Sequence, residues 1–109
     1  MSVSNLSAER AKELAERGEE FALLDVREPG QYGEGHALLA VNAPYSTLEL
    51  VVPRLVPRAH TRIALIDGGD GVAQRAAQRL HGRGYQHVGI VEGGMPAWEG
   101  AGFNVFKGV

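Results

Sequence analysis

Three short apolar runs constrain this chain more than anything else in it. They read "FALLDV" at 21–26, "RIALI" at 62–66 and "HVGIV" at 87–91. Each is too short for a helix and shows no alternation of polar and apolar residues, which is the pattern of a strand buried on both faces. Amphipathic helical stretches lie between them. Ser7 is placed to cap a helix that carries Ala8, Ala11, Leu14 and Ala15 on one face, with Glu9 in its first turn and a stop at Arg17–Gly18. Val72, Ala76 and Leu80 fall four apart and predict a helix over 71–82, ended by Gly82 and Gly84. Pro96 suits the first turn of a last short helix that carries Trp98. Strand–helix alternation of this kind predicts a mostly parallel sheet with helices on both faces.

The weaker signals are placed around this frame. Residues 3–6 read as a short first strand, 29–32 as a single helical turn and "LLAVNAP" at 38–44 as another short strand. Ser46 and Glu49 have capping-box spacing, which predicts a helix start there, with Pro53 and Pro57 limiting its length. In parallel sheets ligands bind beyond the carboxyl ends of the strands. Asp25, Asp67 and Glu92 each follow or close an apolar strand, so all three are expected at that edge, with Glu92 bracing the final helix.

Composition narrows the function classes. The chain has 109 residues, a formal net charge of −2 and no cysteine. That length supports one core, and we expect a single domain over 1–109. The charge does not suggest a nucleic-acid surface. No apolar run approaches the roughly 20 residues that span a bilayer, and the polar start is unlike a signal peptide, so the expectation is a cytoplasmic protein without a membrane partner. Without cysteine there is no disulfide, thiolate metal site or thiol nucleophile. His60, His81 and His87 have no metal-ligand spacing and read as surface or turn residues. No metal and no cofactor is expected.

The most informative segment is "IALIDGGDGVAQRAAQRL" at 63–80, a strand that passes through a glycine-rich loop into a helix. Such loops present successive N–H groups to an anion or nucleophile. This one has neither the P-loop spacing nor the dinucleotide fingerprint.

Four segments around it resemble the rhodanese family of sulfurtransferase domains. "LLDVREPGQYGEGH" (23–36) is similar to the family's D-V-R-E…Y…G-H. "AVNAP" (40–44) resembles its G-A-x-N-x-P, read with Ala40 and Val41 in place of Gly and Ala. "RGYQHVGIVEGGMPAWEGAG" (83–102) resembles its G-Y…V…L-x-G-G…A-W…G ending. "IALI" and "AQRAAQRL" match the strand and helix that flank its catalytic loop. The resemblance implies a three-layer α/β/α fold with a mostly parallel sheet of about five strands. It implies an active-site loop at Asp67, Gly68, Gly69, Asp70, Gly71, Val72 and Ala73, supported by Asp25, Arg27 and His36 in structural roles.

The same resemblance removes the family's chemistry. Active members carry sulfur on a cysteine directly after the strand, in a loop rich in arginine. Here that position is Asp67 by alignment on the strand, or Gly68 by alignment on the helix. Neither forms a persulfide, and no cation stands between Asp67 and Gln74. Two like charges about 4 Å apart repel by about 4 kcal/mol at an effective dielectric of about 20, which disfavours an anionic sulfur donor. No catalytic residue of a sulfurtransferase is therefore expected. Asp70 is placed to cap the following helix, and Asp67 to fill the remaining anion pocket. The implied protein is a non-catalytic rhodanese module, a pseudoenzyme of regulatory, structural or protein-binding role. Its expected partners are adjacent rhodanese modules or another protein. The apolar ending "GFNVFKGV" is read as a domain excised from a longer tandem chain. The alternatives are a carboxylate-based or metal-dependent enzyme using Asp67, with Asp70 and Asp25 as a hard-metal ligand set, or a ligand sensor at the same loop.

Overall fold

The computed structural model describes residues 4–108. Five parallel strands form the central sheet: β1 (Ser4–Leu6), β2 (Phe21–Asp25), β4 (Val41–Asn42), β5 (Arg62–Ile66) and β6 (His87–Val91), in the order β1-β6-β5-β2-β4. All four neighbouring pairs are parallel, and Leu24 sits between Val41 and Leu65. Residue 3 of the expected first strand lies outside the described residues. A separate antiparallel pair joins β3 (His36–Ala37) to β7 (Val105–Phe106).

The helices cover both faces, as the doubly buried strands require. Helices α3 (Leu48–Leu55) and α4 (Val72–Gly82) pack Leu48, Val52, Ala73, Ala76 and Leu80 against Leu24, Ile63, Leu65 and Val88. On the opposite face α1 (Ala8–Glu16) and α5 (Gly94–Gly100) bring Ala8, Ala11 and Trp98 to Leu23, Ala64, Ile66 and Val91. Adjacent residues of β5 thus serve different cores, because successive strand side chains point to opposite faces. The remaining helix is a short one, α2 (Pro29–Glu34). Ser7 caps α1 as expected, its side chain accepting from the Arg10 amide at 3.0 Å.

The structure differs from the sequence reading at three places between 38 and 55. "LLAVNAP" is a strand only at Val41–Asn42. Leu38 and Leu39 form a turn closed by the Ala40 amide on the Ala37 carbonyl (3.1 Å), with Leu39 at φ +72°. A left-handed residue at that point corrects the motif register as well. Counting back from Asn42 and Pro44, the six-residue G-A-x-N-x-P pattern begins at Leu39, which occupies the glycine conformation; Ala40 then matches the alanine.

Ser46 and Glu49 do not form a capping box. Ser46 lies in a 3-10 turn (Tyr45–Thr47) and donates to Glu28 Oε1 at 2.6 Å, while Glu49 pairs with Arg79 at 2.5 Å. Each polar group found a partner distant in sequence, and the helix starts at Leu48. Pro53 lies inside that helix and does not end it. Its missing N–H removes a single bond in a two-turn helix. At the end of the described chain, Phe103 packs edge-on against Trp98 (5.2 Å) and Val105–Phe106 pair with β3.

Candidate functional site

The carboxyl end of the sheet is built around three central strand ends. At the end of β2, Asp25 is fully buried and faces Arg27 two residues on. The guanidinium donates from Nε and Nη2 to the carboxylate (3.0 and 2.8 Å), and from Nη2 to the Gly35 carbonyl (2.6 Å). The Arg27 amide adds a further bond to Asp25 Oδ1 (3.0 Å). This pair ties the strand end to the segment that enters β3. Asn42 locks the neighbouring edge, its Nδ2 donating to the carbonyls of Asp25 and Arg27 (3.0 and 2.9 Å).

His36 stacks on Tyr32, ring centroids 3.9 Å apart, with Nδ1 3.0 Å from the Tyr32 carbonyl. Burial, and to a smaller extent the charge of Asp25, pushes the Tyr32 hydroxyl above its ordinary pKa. It donates to the Ala40 carbonyl at 2.6 Å. These contacts tie Asp25 and Arg27 to Gly35, and His36 to Tyr32, around the end of β2. His60 and His87 are exposed.

The loop after β5 is organised by Asp67. This residue is 4% exposed, and its side chain turns inward under the start of α4. Oδ1 accepts from the Gly69 amide (2.8 Å) and Oδ2 from the Ala73 amide (2.9 Å). The Asp67 carbonyl accepts from the Met95 amide (2.7 Å), which joins the loop to the first turn of α5. Asp70 is exposed and accepts only a long bond from the Val72 amide (3.3 Å). Asp67 thus fills the pocket as expected, whereas Asp70 makes the expected contact with Val72 without holding the N-cap position. Gly71, left-handed at φ +87°, holds the N-cap position, and Asp67 satisfies the helix amide from six residues away. Gly69 and Gly71, both at positive φ, turn the loop back far enough to allow this.

Sequence reasoning missed the wall opposite Asp67. A Cβ at Gly94 would lie 2.5 Å from the Asp67 carbonyl and Oδ1, and 2.6 Å from the Gly69 amide nitrogen. Gly93–Gly94 thus permits backbone contact between the two loops. The double glycine was the available signal. Glu92 does not brace α5: its side chain is exposed, the N-cap is Gly93, and no side chain caps that helix. The loop does have a cation nearby, since a Cβ at Gly68 would meet Arg27 Cδ at 3.6 Å, but the Arg27 head group is engaged by Asp25 and Gly35. Arg75 points away to the ring of Tyr45 (5.9 Å).

Chemically, the loop is an anion nest that contains a carboxylate of its own chain. Asp25, Asp67 and Asp70 do not converge on a point. Among the described residues no three of His, Asp and Glu are grouped as metal ligands, so the hard-metal set considered above is not assembled. Among the described residues, too, no helix is long and apolar enough to cross a membrane.

A three-layer α/β/α domain whose glycine-rich loop leaves a central strand and enters a helix is the architecture expected from the sequence. The model of the rhodanese-like domain matches residues 7–101. The chain belongs to the rhodanese-like domain family. Among solved structures, a thiosulfate sulfurtransferase from Pseudomonas aeruginosa is 39% identical over 98% of this chain, with a TM-score of 0.92. This chain spans only 20% of that protein's length. The rhodanese-like domain of the Alr3790 protein from Anabaena sp. is 28% identical, with 98% of this chain and 80% of that one covered and a TM-score of 0.83.

Proposed function

We propose that this domain is a non-catalytic rhodanese-like module that serves a regulatory, structural or protein-binding role beside catalytic modules. One observation carries the reading. The residue directly after β5 is an aspartate whose two carboxylate oxygens take the Gly69 and Ala73 amides. In an active family member those donors would stabilise a thiolate and then a persulfide. Asp67, with both oxygens engaged, fills the position where sulfur would sit. The chain has no cysteine to carry it. The loop 67–73 is, in this reading, a former active-site loop kept as a folding element.

A place within a longer chain is supported by the Pseudomonas sulfurtransferase, of which the matched region makes up one fifth. A cytoplasmic setting fits the ordinary charge balance and the lack of cysteine. The experiment is a thiosulfate:cyanide sulfurtransferase assay on the isolated domain. We expect thiocyanate formation at background. Turnover that scales with protein concentration would overturn the proposal.

A further inference from the structure

The Leu38–Leu39 turn lies far from the Asp67 loop in sequence and combines a strained backbone with exposed apolar side chains. Leu39 sits at φ +72°, a conformation that an L side chain adopts at a cost and glycine adopts freely. It is also 53% exposed, and Leu38 is 41% exposed. The domain's own core therefore gains little from the side chain that strains the turn.

Beside the turn is a cavity of about 90 Å³, lined by Ala15, Leu38, Leu39 and Trp98, with Lys12 and Glu16 also in its wall. A hollow of that size suits one aliphatic side chain. An exposed leucine and a leucine-sized hollow thus occupy one patch. The two charges at this cavity also have opposite signs. Lys12 and Glu16 are one helical turn apart, 2.7 Å from each other and more than a third exposed.

We propose that this patch is a self-association surface, on which two copies of the chain pair about a twofold axis. Leu39 of each copy enters the cavity of the other. The C-terminal halves of the two α1 helices run antiparallel, which brings Lys12 to the partner's Glu16 and Glu16 to the partner's Lys12. A twofold contact requires a patch that is complementary to itself, and this one is so in shape and in charge. The strained Leu39 then has a function in the pair that it lacks in the monomer. The patch is small, so the pair is weak and concentration-dependent. Nothing in this depends on the chemistry of the Asp67 loop.

Sedimentation velocity from low micromolar to millimolar chain concentration tests the proposal. The wild type is expected to shift from monomer to dimer across that range, without larger species. Leu39→Gly is expected to weaken the dimer about tenfold or more and to raise the melting temperature measured in dilute solution, since it relieves the turn. Lys12→Glu is expected to weaken it about tenfold by setting like charges against each other twice. The double variant K12E/E16K restores opposite charges and is expected to recover the wild-type constant within about threefold. A wild type that stays monomeric at millimolar concentration would overturn the proposal. So would variants that dimerise as the wild type does, or a double variant no better than Lys12→Glu.

Discussion

Asp67 and Gly94 are a matched pair of residues. The carboxylate takes two amides of its own loop, and the absent side chain at Gly94 lets the α5 turn press against that loop. A methyl group at Gly94 would overlap backbone atoms, which have no rotamer by which to move away, and φ is +59° there. Gly94→Ala is expected to lose roughly 2–4 kcal/mol of stability, read as a lower midpoint in urea denaturation. Gly82→Ala, with open space around the added carbon, serves as the control and is expected to be near neutral. The loop glycines were legible as turn residues, but Gly94 as a contact was not. Its neighbour in space is 27 positions away in the chain, and no local pattern reports such a distance.

At the scale of elements, the central strands and the helices α1, α4 and α5 follow directly from apolar periodicity and caps. They are driven by local preference and burial together, so local reading finds them. The segment from 36 to 55 was read less well because its polar groups are satisfied at long range. Ser46 answers to Glu28 and Glu49 to Arg79, not to each other. The Asp25–Arg27 pair belongs to this scale because it ties the end of β2 to the entry of β3. Replacing Arg27 by Met leaves the fully buried Asp25 carboxylate with only the Arg27 amide and strands the Gly35 carbonyl. We expect about 3 kcal/mol of destabilisation in chemical denaturation. The exposed Lys12–Glu16 pair, by contrast, contributes little to the folding of a single copy.

At the scale of the whole molecule, the domain keeps a sulfurtransferase fold around a loop whose anion is built in. Asp67→Cys is expected to fold and to leave thiosulfate:cyanide turnover at background. The loop has no free cation to lower the thiol pKa: Arg27 is bound to Asp25, and Arg75 lies over Tyr45. Activity near that of an intact family member would show that the amide nest alone suffices. What the sequence determined by itself was the family, the parallel sheet and the loss of the thiol, because each rests on residue identity and short-range periodicity. What only the tertiary structure decided was which aspartate faces inward. Both aspartates lie within four residues of each other beside glycines and are locally equivalent. The direction of each is set by where the glycine turns and the α5 backbone leave room, and those are properties of the assembled layers.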